Sequence, residues 1–344
     1  MKFSYKTRRF FRRLGIFALV LAILFVLVWM VWMLWLDRYV VYTRDGAILD
    51  FTADPQVPEG QLAVPPEDDF SVSIYYNEGD NIISLSTELT QVYGYYITTQ
   101  MLESNMDLVM SQLAKLPKGT PVMVELKDIQ GRFFFNTSLG PVRKGIDLEA
   151  IDNLIRYLRN SELYTIAYFP ALRDYYFGLE HVNDGIFLKS GKGLWMDAER
   201  CYWLSPASQG TQSYLIQIVT ELKLMGFQEV VLGDFSVPKD NGLKYSFDRN
   251  ESLEAAAANI IAACGTDRFA ISFCVTDPGF TVPNGRARVF MRGLSASEIK
   301  GMADLFEFPD PAVSLVFITD LNDTRFDTYG VLRPLDTAQL EEEE

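Results

Sequence analysis

Histidine is almost absent from this chain: His181 is the single one in 344 residues. A Ser-His-Asp or Cys-His triad, and a multi-histidine metal site, would each have to depend on that one side chain, which disfavours both classes. Cysteine is scarce too, with Cys201, Cys264 and Cys274 as the full set. An odd count this small does not make a disulfide framework, and the sequence does not choose a pair. No glycine-rich phosphate loop follows a strand-like run; the GKG at Gly191 has neither the P-loop spacing nor the strand before it. Neither nucleotide nor other cofactor is therefore expected. Basic charge is sparse where it would matter for polyanions. Six of the 31 basic side chains and none of the 45 acidic ones lie in the first 36 residues, so the remainder carries a formal charge of −20. Such a surface repels nucleic acid and anionic lipid and is compatible with a neutral or cationic ligand.

What is present begins with an apolar run. Residues 14–36 carry no charge and are rich in Leu, Val, Ile, Phe and Trp, longer than the roughly 20 residues that cross a bilayer. The spacing predicts a transmembrane helix, and its bulky WMVWMLWL end speaks against a cleaved signal peptide. Lys2, Lys6, Arg8, Arg9, Arg12 and Arg13 precede it, so residues 1–13 are expected to form a cytoplasmic tail with everything after Asp37 outside the cell membrane. Residues 37–69 read as a juxtamembrane hairpin around Asp45-Gly46 followed by a linker with Pro55, Pro58, Pro65 and Pro66 among acidic residues. An acidic tail closes the chain at 337–344.

Residues 70–336 read as one α/β domain. FSVSIYY and NIISLS open it as edge strands or an N-terminal extension, and helix and strand patterns then alternate. Apolar runs near Val92 and at PVMVELKD, YTIAYFP, EVVLG, RFAISFCVT, ARVFMR and AVSLVFIT predict strands, with TYGVL a weaker one. Between them lie amphipathic helices: Asp147 caps one, residues 211–225 form another that Gly226 ends, an alanine-rich one follows, and Ser295 with Glu298 predicts a capping box. Seven or eight such units suggest a (β/α)8 TIM-like barrel, with an open doubly wound sheet as runner-up.

In a barrel, chemistry sits at the C-terminal ends of strands. Those ends present Glu125, Asp128, Asp174, Asp197, Asp234, Asp277 and Asp320. Converging carboxylates are what glycoside hydrolysis needs, one to protonate the leaving oxygen and one as base or nucleophile. Asp128 and Asp234 are the best catalytic pair. Glu125, Lys127, Tyr168, Arg173, Trp195, Asp197 and Trp203 are the candidate substrate contacts, the aromatics offering flat faces to sugar rings. Each has a bland alternative, because Asp also builds turns and caps, and aromatics also pack cores. Lys127 and Asp128 are read as a neighbouring pair, orienting or merely solvated.

Several segments together resemble a bacterial glycoside hydrolase-like family with a TIM-barrel domain, found mostly in membrane-anchored or secreted proteins of Gram-positive bacteria. The segments are VMVELKDIQG, YTIAYFPALRD, GLWMDAERCYWLSP and above all GFQEVVLGDFSVP. The resemblance spans about 92–334. It implies a barrel that acts on, or binds, cell-wall polysaccharide. In the last motif the family strand ends in an aspartate followed by an arginine and a proline. Here Gly233 takes the aspartate's place and Ser236 the arginine's, while Asp234 sits one position late. That departure leaves two classes open: an active cell-surface glycosidase, or an inactive barrel serving as a glycan- or protein-binding envelope scaffold.

Overall fold

A strand that is apolar at every position must be covered on both faces, because successive side chains point to opposite sides. The computed structural model describes residues 24–26, 28–30, 40–43, 46–49 and 88–335, apart from Asn241 and Ser246. The chain divides into two compact units, Met1–Asp80 and Asn81–Glu344. In the first unit β1 (Val40–Thr43) and β2 (Gly46–Leu49) pair antiparallel, Val40 opposite Leu49 and Thr43 opposite Gly46. Of the predicted transmembrane segment only 24–26 and 28–30 are described; these residues are helical and their large apolar side chains are exposed. Among the described residues no helix is long and apolar enough to cross a membrane. The proline-rich linker and the FSVSIYY and NIISLS runs lie outside the described residues.

The second unit is a closed barrel. Eight parallel strands follow one another in chain order: β3 (Tyr93–Ile97), β4 (Pro121–Glu125), β5 (Tyr164–Pro170), β7 (Glu229–Gly233), β9 (Ala270–Cys274), β10 (Val289–Arg292), β11 (Leu315–Ile318) and β12 (Gly330–Pro334). Two short strands outside it, β6 (Phe187–Leu188) and β8 (Leu243–Lys244), pair antiparallel and tie together the loops after β5 and β7. The weak TYGVL signal supplies the eighth strand, and its pairing with β3, Val331 opposite Tyr93, closes the barrel and excludes the open sheet.

Helices cover the outside: α1 (Thr99–Ser104), α2 (Met106–Leu113), α3 (Leu148–Asn160), α4 (Tyr175–Glu180), α5 (Gln209–Met225), α6 (Arg249–Cys264), α7 (Ile299–Leu305) and α8 (Pro311–Ser314). Asp147 caps α3 by accepting from the Ala150 amide at 3.0 Å, and Gly226 ends α5 in the left-handed conformation at φ 102°. The predicted box at Ser295 is corrected. Glu298 does accept from the Ser295 amide and hydroxyl, but α7 begins only at Ile299, so the motif closes a turn before the helix.

Period two divides the core. One face of the strands, with Met123, Ile166, Tyr168, Val231, Cys274, Phe290, Val316 and Leu332, packs inside the barrel. The other face, with Val122, Val124, Ala167, Phe169, Val230, Leu232, Ile271 and Phe273, packs against the helices. At the N-terminal end of the barrel Glu229, Ser272 and Arg288 are buried together. Glu229 meets the Arg288 guanidinium at 3.2 Å and accepts from Ser272 Oγ at 2.5 Å and from the Tyr164 hydroxyl at 2.9 Å. All three cysteines are free and buried.

Candidate active site

The other end of the barrel is open. Glu125, Tyr168, Asp234, Cys274 and Arg292, each at or beside a strand end, line a cavity of about 440 Å³ together with Thr99, Lys127, Asp128, Arg173 and Thr276. This size lies within the roughly 300–1,000 Å³ of small-molecule sites. Six of the nine sequence-predicted site residues meet here.

Asp234 owes its place to a backbone turn. It follows the last residue of β7 with φ 46°, a conformation that Asp tolerates better than most residues. The next residue, Phe235, is held on the helix-facing side by packing on Phe273 and Phe280 at ring distances of 4.7 and 5.8 Å. The carboxylate is left facing the cavity. Its one ion-pair contact is loose, at 3.9 Å to Arg173 Nη1. Burial raises its pKa above the ordinary 3.8, with the nearby Arg173 and Arg292 guanidinium groups working in the opposite direction.

Glu125, at the end of β4, receives Arg292 Nη2 on Oε1 at 2.6 Å and the Thr99 amide on Oε2 at 3.2 Å. Arg292 lies over the rings of Tyr168 and Tyr96 at 5.0 and 5.8 Å. Burial pushes the Tyr168 phenol well up and the Cys274 thiol to about 12, so both are neutral at pH 7.

Asp128 also lines the cavity, but its carboxylate is engaged by its own turn. Oδ1 accepts from the amides of Gln130 and Arg132, each at 3.0 Å, and Oδ2 accepts from Arg132 Nε at 2.7 Å. The reading of Lys127 and Asp128 as a pair is corrected. Lys127 turns away from Asp128 into the protein, where its ammonium reaches Asp174 and the Pro170 carbonyl at 2.8 Å each, surrounded by Phe133, Phe169 and Tyr214. Asp174 in turn caps α4 and accepts from the Tyr214 hydroxyl at 2.9 Å.

Trp195, Asp197 and Trp203 stand one layer back. Asp197 contacts Arg173 Nη2 at 2.7 Å and accepts from the Trp203 indole at 2.9 Å; the Arg173 guanidinium stacks over Trp203 at 5.4 Å, and Trp195 packs on Trp203. Burial raises the Asp197 pKa, but the Cys201 amide, the Trp203 indole and Arg173 outweigh it, and the carboxyl is held below its ordinary value. These three residues therefore hold Arg173 against the cavity wall. Arg292, Cys274, Thr99 and Thr276 escaped sequence reasoning. The alternation Arg288, Phe290, Arg292 in RVFMR was the available signal, since it places Arg292 on the inward face. Among the described residues no group of three or more His, Cys, Asp or Glu side chains is disposed to hold a metal ion.

Gly233 explains how the mouth is floored. A Cβ at this position would fall on the Tyr168 phenol, so the ring end of Tyr168 occupies the space that a residue-233 side chain would enter.

Residues 94–265 match the family described as "Putative glycosyl hydrolase domain". Among solved structures, a hypothetical protein from Ruminiclostridium thermocellum is 17% identical with a TM-score of 0.46, over 52% of this chain and 96% of that one. The α-galactosidase from Lactobacillus brevis is 13% identical with a TM-score of 0.49, over 74% and 38%. That from Geobacillus stearothermophilus is 11% identical with a TM-score of 0.49, over 74% and 40%. The chain thus spans about two fifths of the length of these galactosidases. No curated protein matches it.

Proposed function

Since the chain belongs to this glycosyl hydrolase family, we propose that its barrel mouth binds a polysaccharide of the cell envelope and cleaves a glycosidic bond with Asp234 and Glu125. One observation carries the reading: a carboxyl with a raised pKa and a second carboxylate held by an arginine face a single open cavity at the strand C-terminal ends. Asp234 donates its proton to the leaving oxygen as the glycosidic C–O bond breaks. Glu125 attends the anomeric carbon, by direct attack or by taking a proton from the water that attacks it. Asp128 is the weaker partner because its own turn places three hydrogen bonds on its carboxylate, against two on Glu125. Arg292 orients Glu125, and Arg173 keeps a positive charge beside Asp234. Tyr168 offers its neutral phenol as a donor to a sugar hydroxyl.

A second reading, binding without turnover, is favoured by the Tyr168 phenol filling the space over Gly233, where the resemblance in sequence would set the family's aspartate. The two readings separate in one assay. Purified wall glycan is incubated with the protein and released reducing ends are counted. Turnover that disappears in Asp234→Asn and Glu125→Gln supports the enzyme; glycan retention with no release in the wild type supports the scaffold. If no wall fraction is bound or cleaved, both sugar readings are wrong.

The same proposal places the barrel outside the cell, held by residues 14–36. The long uncharged run, the six basic residues before it and the exposed apolar helical residues at 24–26 and 28–30 support this. Protease added to intact cells should remove the barrel and leave a membrane-bound stub. Survival of the full chain, or its recovery without membranes, would sink the anchor.

A further inference from the structure

We propose that the cavity beside the mouth, under the loop that follows β7, is a second sugar subsite, so that the barrel takes an oligosaccharide of at least two units. This rests on the glycoside hydrolase reading above and assigns the two sides of the bond to be broken.

The second cavity measures about 300 Å³. Residues 235–239, the start of α6 and residues 275–277 with Phe280 bound it. Val275 and Thr276 line this cavity and the mouth alike, so the two spaces adjoin across one short stretch of chain. Asp234 stands at the same junction from the other side: its carboxylate lines the mouth, and the five residues after it line the second cavity. That is the place a general acid must occupy. The oxygen it protonates joins two sugars, and each ring needs space on its own side of the proton donor.

The lining suits a sugar ring. Val237, Leu253, Val275 and Phe280 are buried and form an apolar wall, against which the C–H face of a pyranose can pack. Polar groups share the lining: Arg249, the Asn250 amide, and the pair of Lys239 with Asp277 at 2.6 Å. These supply donors and acceptors to ring hydroxyls. Hydrogen bonding to Lys239 holds the Asp277 carboxyl below its ordinary pKa, so it stays a carboxylate at neutral pH. Each cavity alone is small for a chain, and together they offer two adjoining ring-sized spaces.

The experiment measures binding of end-labelled wall-glycan oligosaccharides of one to four units to the full-length protein carrying Asp234→Asn, which stops turnover. Affinity is expected to rise at least about tenfold from one unit to two. Asn250→Trp, which fills the second cavity, should bring the longer oligomers down to the affinity of the single sugar. Asn250→Ala, which removes the amide without filling the space, should weaken them by a smaller factor; near-ultraviolet circular dichroism checks that both variants are folded. Equal affinity for one and two units, or no change in Asn250→Trp, overturns the subsite and leaves the mouth reading intact. No binding of any oligosaccharide overturns the glycan reading and the subsite with it.

Discussion

The two ends of this barrel each hold a glutamate and an arginine in contact, and the arginines stand four residues apart, Arg288 just before β10 and Arg292 as its last residue. At the N-terminal end Glu229 and Arg288 have side chains 0% and 1% exposed, with Ser272 and Tyr164 completing the contacts. At the C-terminal end Glu125 and Arg292 are 12% and 43% exposed and border an open cavity. The same chemistry thus has two uses. Buried and surrounded, the pair locks the register of β7, β9 and β10; at the mouth, it leaves guanidinium and carboxylate groups within reach of a ligand. A buried pair is not itself strong evidence of stability, because desolvation offsets much of the attraction, but breaking one half of it is costly.

The largest effect is therefore expected at the closed end. Arg288→Met should destabilise the fold by about 3–5 kcal/mol, because it leaves Glu229 buried without its cation. The double variant Glu229→Met with Arg288→Met should recover part of that loss; urea denaturation of the four corners of this cycle decides. A loss under about 1 kcal/mol for the single variant would mean that water reaches the pair.

Next comes the floor of the mouth. Gly233→Ala should cost about 1–3 kcal/mol because the new methyl meets the Tyr168 phenol. In a Tyr168→Ala background the same change should cost much less. Additive unfolding energies would show that the two residues do not compete for one space.

At the open end itself stability should barely respond. Glu125→Gln is expected to change it by less than about 1 kcal/mol, while glycan cleavage falls by about 10²–10⁴-fold. A variant that unfolds would make the mouth pair structural, as its counterpart is.

The smallest effect is a shift in pH dependence. Asp234 has a raised pKa, so as pH falls the native state takes up this proton before the unfolded chain does. Its contribution to stability therefore rises as pH falls through the folded value and levels off below the ordinary carboxyl range. Asp234→Asn should remove that rise. Arg173→Gln takes away a charge that opposes the shift, and should move the alkaline limb of activity to higher pH. Movement to lower pH would mean that burial does not control this group.

The strands were legible because covered parallel strands are apolar on both faces, and runs such as VMVE and EVVLG show it directly. TYGVL was the weakest signal and became the closing strand: one of its partners, β11, is close in sequence, but the other, β3, lies more than two hundred residues away, Val331 opposite Tyr93. Asp234 and Glu125 were legible as carboxylates at strand ends. Their relative merit was not, because the hydrogen bonds that engage Asp128 come from the shape of its turn. Lys127 shows the same limit: beside Asp128 in sequence, it is bonded to Asp174 in space.

Composition and periodicity alone determined that this chain alternates covered strands with amphipathic helices after a long uncharged run, and that histidine triads and multi-histidine metal sites are disfavoured. These follow from counts and from the repeat of apolar residues, which depend only on neighbours in the chain. Tertiary structure alone decided which carboxylates face the cavity, which arginine meets each of them, and that Tyr168 fills the space beside Gly233. Those outcomes depend on barrel closure, which sets side chains from different strands within a few ångströms of each other, and on burial, which sets their protonation.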